Sequence, residues 1–383
     1  MRDLTPAEQS IVDVAAEFGR DTIEPNAEAW DADRHAPRSY FHAAGELGLC
    51  KLIVPKTHDG LGCSVTAMAR VNEILSQHCM ATAFSLTVHN NITNLVAGNG
   101  TPEQVAAYLP GLMRGETIGG FLLTEPGAGS DATSISTQAD KTASGWVVNG
   151  SKAWVSNGVN VDLLCTWVQT EAGTGAKGIA CFLIDANTPG AIRGESYALL
   201  GSHALGTTGF DFENCAISDG ALMVEPGQAF RTAMKGIDFA RVCVASMCCG
   251  LLQRALSEAI DYTAARPAFG QHVGDFQGIQ WMLADAATDL EAARLLTYTA
   301  AALLDEGQDA TVAAAHAKKF TTRAAFNRIG ECMQTMGATS LSRDRPLARN
   351  LAAAKMAQFT DGAVEIQNVV IARGLTKSAL QWP

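Results

Sequence analysis

Apolar and polar positions change rhythm twice along the chain. Residues 6–22 and 65–75 carry apolar side chains at three- and four-residue spacing with few β-branched runs, which predicts amphipathic helices. The Pro- and Gly-rich stretch Val54-Pro55-Lys56-Thr57-His58-Asp59-Gly60-Leu61-Gly62 breaks that pattern. From about residue 119 the period shortens. Residues 145–150, 163–169 and 179–184 are short β-type runs between Gly, Asn, Asp and Thr clusters. From about 229 the helical spacing returns, with Val242, Ala245, Cys249, Leu252, Leu256 and Ala259 on one face. A second helix, rich in Ala and Leu, follows over 280–302, and Arg266-Pro267-Ala268-Phe269-Gly270 parts the two. The pattern predicts an α–β–α chain: a helical domain at 1–118, a compact antiparallel β domain at 119–228 and a helical bundle at 229–383.

Composition narrows the function classes. With 383 residues, 47% hydrophobic and 17% charged, the chain has globular composition and room for two or three packed domains. A net charge of −11 with scattered Lys and Arg argues against nucleic acid and anionic membrane as partners. No run of about 18 apolar residues occurs, and Met1-Arg2-Asp3-Leu4-Thr5-Pro6 has no apolar leader, so a soluble cytoplasmic protein is expected. The 10 cysteines form no CxxC pair and read as reduced thiols; no metal site is expected.

Three segments carry candidate chemistry. Phe121-Leu122-Leu123-Thr124-Glu125-Pro126-Gly127-Ala128-Gly129-Ser130-Asp131 lies where the helical rhythm gives way to strands, and offers main-chain N–H groups and hydroxyls on a tight loop. It suits a flat heterocycle or a phosphate, or an ordinary Pro-Gly turn, and is no Rossmann fingerprint. Lys152-Ala153-Trp154-Val155-Ser156-Asn157-Gly158 follows a strand. Arg266 and Phe269, followed by Phe276-Gln277-Gly278, place a guanidinium and aromatics just after a helix, a grouping suited to a pyrophosphate.

In order and content these segments resemble the acyl-CoA dehydrogenase family over essentially the whole chain. The resemblance implies an α+β fold with an N-terminal helical domain, a central antiparallel β-barrel-like domain and a C-terminal four-helix bundle. It also implies FAD as cofactor, a homotetramer, an acyl-CoA substrate and an electron-transfer flavoprotein as acceptor. Phe121, Leu123, Thr124, Gly129 and Ser130 then match the lining of the flavin ring, with Ser130 also at the start of the acyl channel. Trp154, Val155 and Ser156 match the opposite side of the ring, and Ala363 and Glu365 match further cofactor positions. Arg266, Phe269, Gln277, Gln334 and Gly337 match the dinucleotide contacts, Arg266 reaching from a neighbouring subunit; Gly337-Ala338 stands where the family has Gly-Gly. Asp238 and Arg241 match the pair that contacts the CoA arm, with Arg241 as a local cation, and Gly362 matches a substrate contact.

The catalytic base departs from the family. Its usual Tyr-Glu-Gly-Thr is Thr360-Asp361-Gly362-Ala363 here, so Asp361 occupies the base position, and the usual Arg-Asp pair upstream is Ala352-Ala353. The alternative family position for the base falls on Ala240, which has no titratable group. A carboxylate in a dry pocket is a stronger base than one in water, as abstraction of a thioester α-proton requires. Asp is shorter than Glu by roughly 1.5 Å of reach, which favours a branched or alicyclic acyl group near the base. Other readings stay open: a flavin oxidase of the nitroalkane-oxidase type, a dehydrogenase of carrier-protein-bound acyl groups, or a flavin-binding protein without turnover.

Overall fold

A computed structural model describes residues 3–378. Six helices come first: α1 (Pro6–Phe18), α2 (Ala27–Ala32), α3 (Arg38–Glu46), α4 (Val65–His78), α5 (Met80–Asn99) and α6 (Pro102–Met113). Their starts are set locally. Thr5 and Thr101 form capping boxes with Glu8 and Gln104, and the Ser64 hydroxyl accepts from Ala67 N–H.

Eight strands follow: β1 (Gly119–Leu122), β2 (Gln138–Thr142), β3 (Gly145–Val155), β4 (Leu163–Gln169), β5 (Ile179–Asp185), β6 (Ala191–Arg193), β7 (Thr208–Ile217) and β8 (Leu222–Val224). They build one sheet in the order β6-β7-β3-β2-β4-β5-β8, with β1 beside β4. The pairing is largely antiparallel, as expected, but β1 and β2 run parallel to β4. The alternation of side chains gives β4 and β5 two buried faces. Leu163, Cys165, Trp167, Ile179, Cys181 and Leu183 face a core shared with α5, α6 and the next helix. Leu164, Val168, Ala180, Phe182 and Ile184 enter a second core with Val148, Phe210 and Phe212.

The last part is a bundle of α7 (Ala229–Ala265), α8 (Gln277–Asp305), α9 (Thr311–Met336), α10 (Leu347–Ala357) and α11 (Val364–Ser378). The two-residue strands β9 (Pro267–Ala268) and β10 (Gln271–His272) form a hairpin between α7 and α8. By length and hydropathy α7 passes for a membrane span, yet 83% of its most apolar window is buried in the protein. It is the axial core helix: Met247, Leu251 and Leu252 share one apolar cluster with Val12, Leu75 and Ile329. A fully buried Leu, Ile or Met contributes about 1.5–3 kcal/mol, so α7 holds the N-terminal helices and the bundle on one core.

Asn157 is the joint between helices and sheet. It sits just after β3 at φ 62°, a left-handed conformation that Asn tolerates better than most residues. Its Nδ2 donates to the Ser85 carbonyl at 3.1 Å and the Gly119 carbonyl at 3.3 Å, and its Oδ1 accepts from the Ser85 hydroxyl at 2.5 Å. Asn157→Ala strands these buried groups and keeps the unfavourable φ, so it is expected to cost about 3 kcal/mol in a urea unfolding titration.

Candidate functional site

The loop after β1 is shaped by a buried carboxylate. Glu125 and Ala128 exchange main-chain bonds of 3.0 and 3.2 Å, closing the Pro126-Gly127 turn. The Glu125 side chain accepts from Ser136 N–H at 2.6 Å, Ser136 Oγ at 2.8 Å, Thr137 N–H at 2.9 Å and Lys152 Nζ at 2.7 Å. Burial pushes its carboxyl up, but Lys152 and these donors outweigh it and hold the group at about 2. Lys152 also donates to the Leu123 carbonyl at 3.1 Å, and Ala153 N–H donates to the Thr124 carbonyl at 2.9 Å. The loop is thereby stitched to β3, and two segments about 30 residues apart in sequence, Phe121–Ser130 and Trp154–Ser156, lie side by side.

This place suits a flat ring. Trp154 is 57% exposed at φ 60°, a conformation that costs a non-glycine residue about 1–2 kcal/mol and is found where function over-determines it. Its ring meets Tyr197 edge-on with centroids 5.0 Å apart. Phe121 tilts against buried Trp167 at 4.2 Å. Open space surrounds Gly127 and Gly129, so main chain can approach a ligand there. Among the described residues, the hydroxyls of Thr124, Ser130 and Ser156 have no partner within the chain. The donor set fits an isoalloxazine. Val155 and Leu123 are buried and hold the walls from behind.

A second group gathers around Asp361, between α10 and α11. Asp361 and Gly362 both have positive φ, 50° and 91°. The positive φ favours glycine at 362, and a Cβ there would crowd Gln367 Nε2 at 3.1 Å. Three side chains from three helices fix this turn through its main chain. Arg241 Nε from α7 donates to the Asp361 carbonyl at 3.2 Å, Lys318 Nζ from α9 to the Gly362 carbonyl at 2.7 Å, and Gln367 Nε2 from α11 to the same carbonyl at 2.8 Å. The carboxylate itself is left alone: Oδ2 is buried and has no hydrogen-bond partner. Burial raises the proton affinity of Asp361, opposed by Lys318 and Arg241. Its main-chain N–H also has no acceptor among the described residues.

The two groups are linked physically. Ala229 and Ala233 at the start of α7 pack in the same core as Leu123 and Ala128, and Arg241 lies about 12 Å further along that helix. On the other side, the segment carrying Tyr197 reaches α10. A Cβ on Gly201 would lie 2.6 Å from the Cβ of Ala352. A glycine at 201 is thus what allows this close approach to Ala352.

Arg241 faces inward in this structure. It is 7% exposed, it bonds the Asp361 main chain, and its NH1 pairs with Asp238 Oδ1 at 2.9 Å. Asp238 Oδ2 accepts from the Thr311 hydroxyl at 2.7 Å. The pair is turned inward because a left-handed carbonyl beside it needs a donor, and it buttresses the Asp361 turn.

The remaining predicted residues stand elsewhere. Arg266, Phe269, Gln277, Gln334 and Gly337 are all exposed, Phe269 by 97% at the tip of the α7–α8 hairpin. They share one end of the bundle, where the hydroxyls of Tyr262 and Thr339 meet at 3.4 Å. Arg266 lies about 37 Å along α7 from Arg241, so these residues do not join the Asp361 group of their own chain. Ala363 follows the Asp361 turn, and Glu365 is exposed on the first turn of α11.

Sequence reasoning passed over Lys152, Lys318, Gln367 and Tyr197. Lys318 left a signal: it falls on the same α9 stripe as buried Ala314, Ala317 and Thr321, where a charge is out of place. His89 and His203, unassigned from sequence, are structural. His89 bonds the Leu112 carbonyl at 2.8 Å and is pulled to about 4 by burial, while His203 N–H donates to Asp31 at 2.8 Å. All 10 cysteines are free. A cleft of about 340 Å³ lined by Arg254, Arg343, Arg345 and Arg349 includes none of the site residues; its arginines pair with Glu24, Glu28 and Glu258. Among the described residues there is no cluster of three metal-ligating side chains.

Comparison with known proteins agrees along the whole chain. Residues 5–116, 120–215 and 227–376 match the descriptions "Acyl-CoA dehydrogenase, N-terminal domain", "middle domain" and "C-terminal domain". The chain is 33% identical over 375 residues to isobutyryl-CoA dehydrogenase of Dictyostelium discoideum, covering 98% of this chain and 90% of that protein. The structure of butyryl-CoA dehydrogenase from Megasphaera elsdenii superposes with a TM-score of 0.94 at 30% identity, covering 98% of this chain and 100% of that one. The structure of PigA with FAD and proline superposes with a TM-score of 0.93 at 25% identity, covering 98% and 99%.

Lys152→Met leaves Glu125 charged and buried without its cation, so it is expected to lower stability by about 3–5 kcal/mol at neutral pH. Because the Glu125 carboxyl sits at about 2 when folded against 4.5 ordinarily, the stability it contributes is present above 4.5 and is lost as pH falls toward 2. Thermal melts across that range check both statements. Gly201→Ala places a Cβ 2.6 Å from that of Ala352 and is expected to cost about 1–3 kcal/mol, read from the same melts.

Proposed function

The chain belongs to the acyl-CoA dehydrogenase family, and from that premise we propose that it removes hydrogen from Cα and Cβ of a short or α-branched acyl thioester, with Asp361 as the base. The observation that carries this reading is the unpartnered, buried Oδ2 of Asp361 on a turn pinned from three helices. A carboxylate meant for structure takes donors, as Glu125 does. One meant to accept a proton has to keep an oxygen free and dry.

The protein's own groups divide the work. Asp361 Oδ2 takes the α-proton, and the raised proton affinity that burial gives it makes that transfer easier. The free N–H of Asp361 donates to the thioester carbonyl, where negative charge develops as the proton leaves. Arg241, paired with Asp238, holds the carbonyl on the other side of the same peptide turn. Phe121, Thr124, Ser130, Trp154 and Ser156 hold the flavin, and Leu123, Val155 and Gly129 shape its walls. FAD supplies the acceptor for the β-hydride when bound there.

The shorter Asp side chain requires the α-carbon to come closer than a Glu would, and this favours a compact acyl group branched at that carbon. The substrate named for the Dictyostelium relative, isobutyryl-CoA, has that shape. Arg266, Phe269, Gln277, Gln334 and Gly337 stand at the far end of the bundle, so they serve the dinucleotide of another copy in a homotetramer. Exposed Phe269, Trp281 at 63% and Leu341 at 68% give that assembly apolar surface to cover. An electron-transfer flavoprotein would be the onward electron acceptor.

The inward-turned Arg241 favours a second reading for the carrier. With no open cation there, the enzyme's hold on the thioester rests on the pantetheine arm, which CoA and acyl-carrier proteins share.

The test is an anaerobic visible spectrum of the holoprotein before and after adding straight, α-branched and alicyclic acyl-CoAs. Isobutyryl-CoA or a close analogue is expected to bleach the flavin band fastest. Bleaching only by carrier-bound acyl groups moves the assignment to the second reading, and bleaching by neither refutes both. Asp361→Asn is expected to slow bleaching by about 10²–10⁴-fold. The rate should fall as pH drops through the raised value of Asp361, on the acid side, because the protonated carboxyl cannot accept.

A further inference from the structure

Among the described residues two lysines are fully buried, Lys152 and Lys318, and they differ in how their charge is met. Lys152 has a carboxylate at 2.7 Å. Lys318 has no carboxylate of the described residues within ion-pairing distance; its ammonium bonds the Gly362 carbonyl at 2.7 Å, among Ala314, Ala317 and Thr321. An ammonium is costly to bury against a single neutral acceptor. A second, neutral donor, Gln367 Nε2, reaches the same carbonyl at 2.8 Å, so holding the turn does not by itself call for a charge. The charge therefore calls for its own account, and the group it faces is Asp361.

We propose that Lys318 is a positioning residue for Asp361: through the Gly362 carbonyl it fixes the turn that presents the carboxylate, and its charge keeps that carboxylate ionised without capping it. Geometry makes the arrangement specific. A cation bonded to the carboxylate would neutralise the base and block Oδ2. A cation one carbonyl away stabilises the anion and leaves Oδ2 open. The inference rests on the reading of Asp361 as the base.

The charged neighbours agree with this division. Facing the pair are Arg241 and, behind it, Asp238 from α7, the thiols of Cys243 and Cys248 from α7, and Glu365 from α11. Burial raises the proton affinity of Asp361, while Lys318 and then Arg241 oppose the rise. Burial likewise pulls Lys318 down, to about 8, with Asp361 the main group resisting. Lys318 is therefore charged below about 8 and loses its proton above it. On the alkaline side Asp361 loses its supporting cation, and the rate has a second limb there.

The experiment follows the Asp361 carboxyl by pH-dependent infrared difference spectroscopy on the holoprotein, its band assigned by disappearance in Asp361→Asn. Lys318→Met removes charge and donor; Lys318→Gln keeps a donor without the charge and serves if the Met variant does not fold. The midpoint of the Asp361 titration is expected to move to higher pH in both. A purely structural lysine would not move it in the Gln variant, and an unchanged midpoint overturns the proposal. With isobutyryl-CoA and butyryl-CoA as probes, anaerobic bleaching at the plateau pH is expected to slow by about tenfold in Lys318→Met and less in Lys318→Gln. Undiminished bleaching in Asp361→Asn would refute the base assignment instead, and the midpoint shift would still decide whether Lys318 supports the carboxylate.

Discussion

A carboxylate that is to accept a proton must be dry, ionised and unpartnered at once, and those three demands oppose one another. Dryness disfavours the charge, and the usual remedy, a direct donor, occupies the lone pair that the chemistry needs. The chain resolves this at Asp361 by giving every donor to the backbone and none to the buried oxygen. Arg241, Lys318 and Gln367 bind the carbonyls of Asp361 and Gly362, and Oδ2 stays free. The turn they hold is strained, with two successive residues at positive φ, and such a turn persists only where its surroundings over-determine it. The long helix α7, the face of α9 that carries Lys318 and the start of α11 are placed by this requirement.

Glu125 shows the opposite solution within the same molecule. It is buried, at 4% exposure, yet it accepts from Ser136, Thr137 and Lys152 and so sits at about 2. Its charge is spent on shape: the turn at Pro126-Gly127 and the stitching of that loop to β3. Two acids of nearly equal chemistry thus take a structural role and the proposed role of base according to where their donors point.

The sequence conveys the architecture well, because helix and strand periods are local. The capping boxes at Thr5 and Thr101 and the alternation in β4 and β5 are visible in a few residues each. The loop at 121–131 and Trp154 are also legible, since Gly-rich turns and an aromatic after a strand are local features. What escapes is pairing across distance. Nothing near Lys152 announces Glu125, 27 residues away, and nothing near Lys318 announces Gly362, 44 residues away. The partner of Arg241 is hidden for the same reason: the Asp361 carbonyl that it bonds lies 120 residues on. Ala352 reads as the loss of a family arginine, and its close approach to Gly201 shows only in the fold.

The direction of α7 sets a further constraint. Its first turns touch the loop core, its middle carries Arg241 beneath the base, and its end presents Arg266 and the exposed Phe269 about 37 Å beyond Arg241. A rigid helix with a buried, apolar waist cannot bend to bring its two ends to one ligand. This separation is what supports the proposal that Arg266, Gln277 and Gln334 serve a dinucleotide held mainly by another copy. Assembly and cofactor binding then become linked equilibria: a dinucleotide spanning two chains stabilises their contact, and separating the chains weakens its hold. On the proposed assembly, the same packing that makes α7 a good core helix leaves the isolated chain without the part of the site that a second copy supplies.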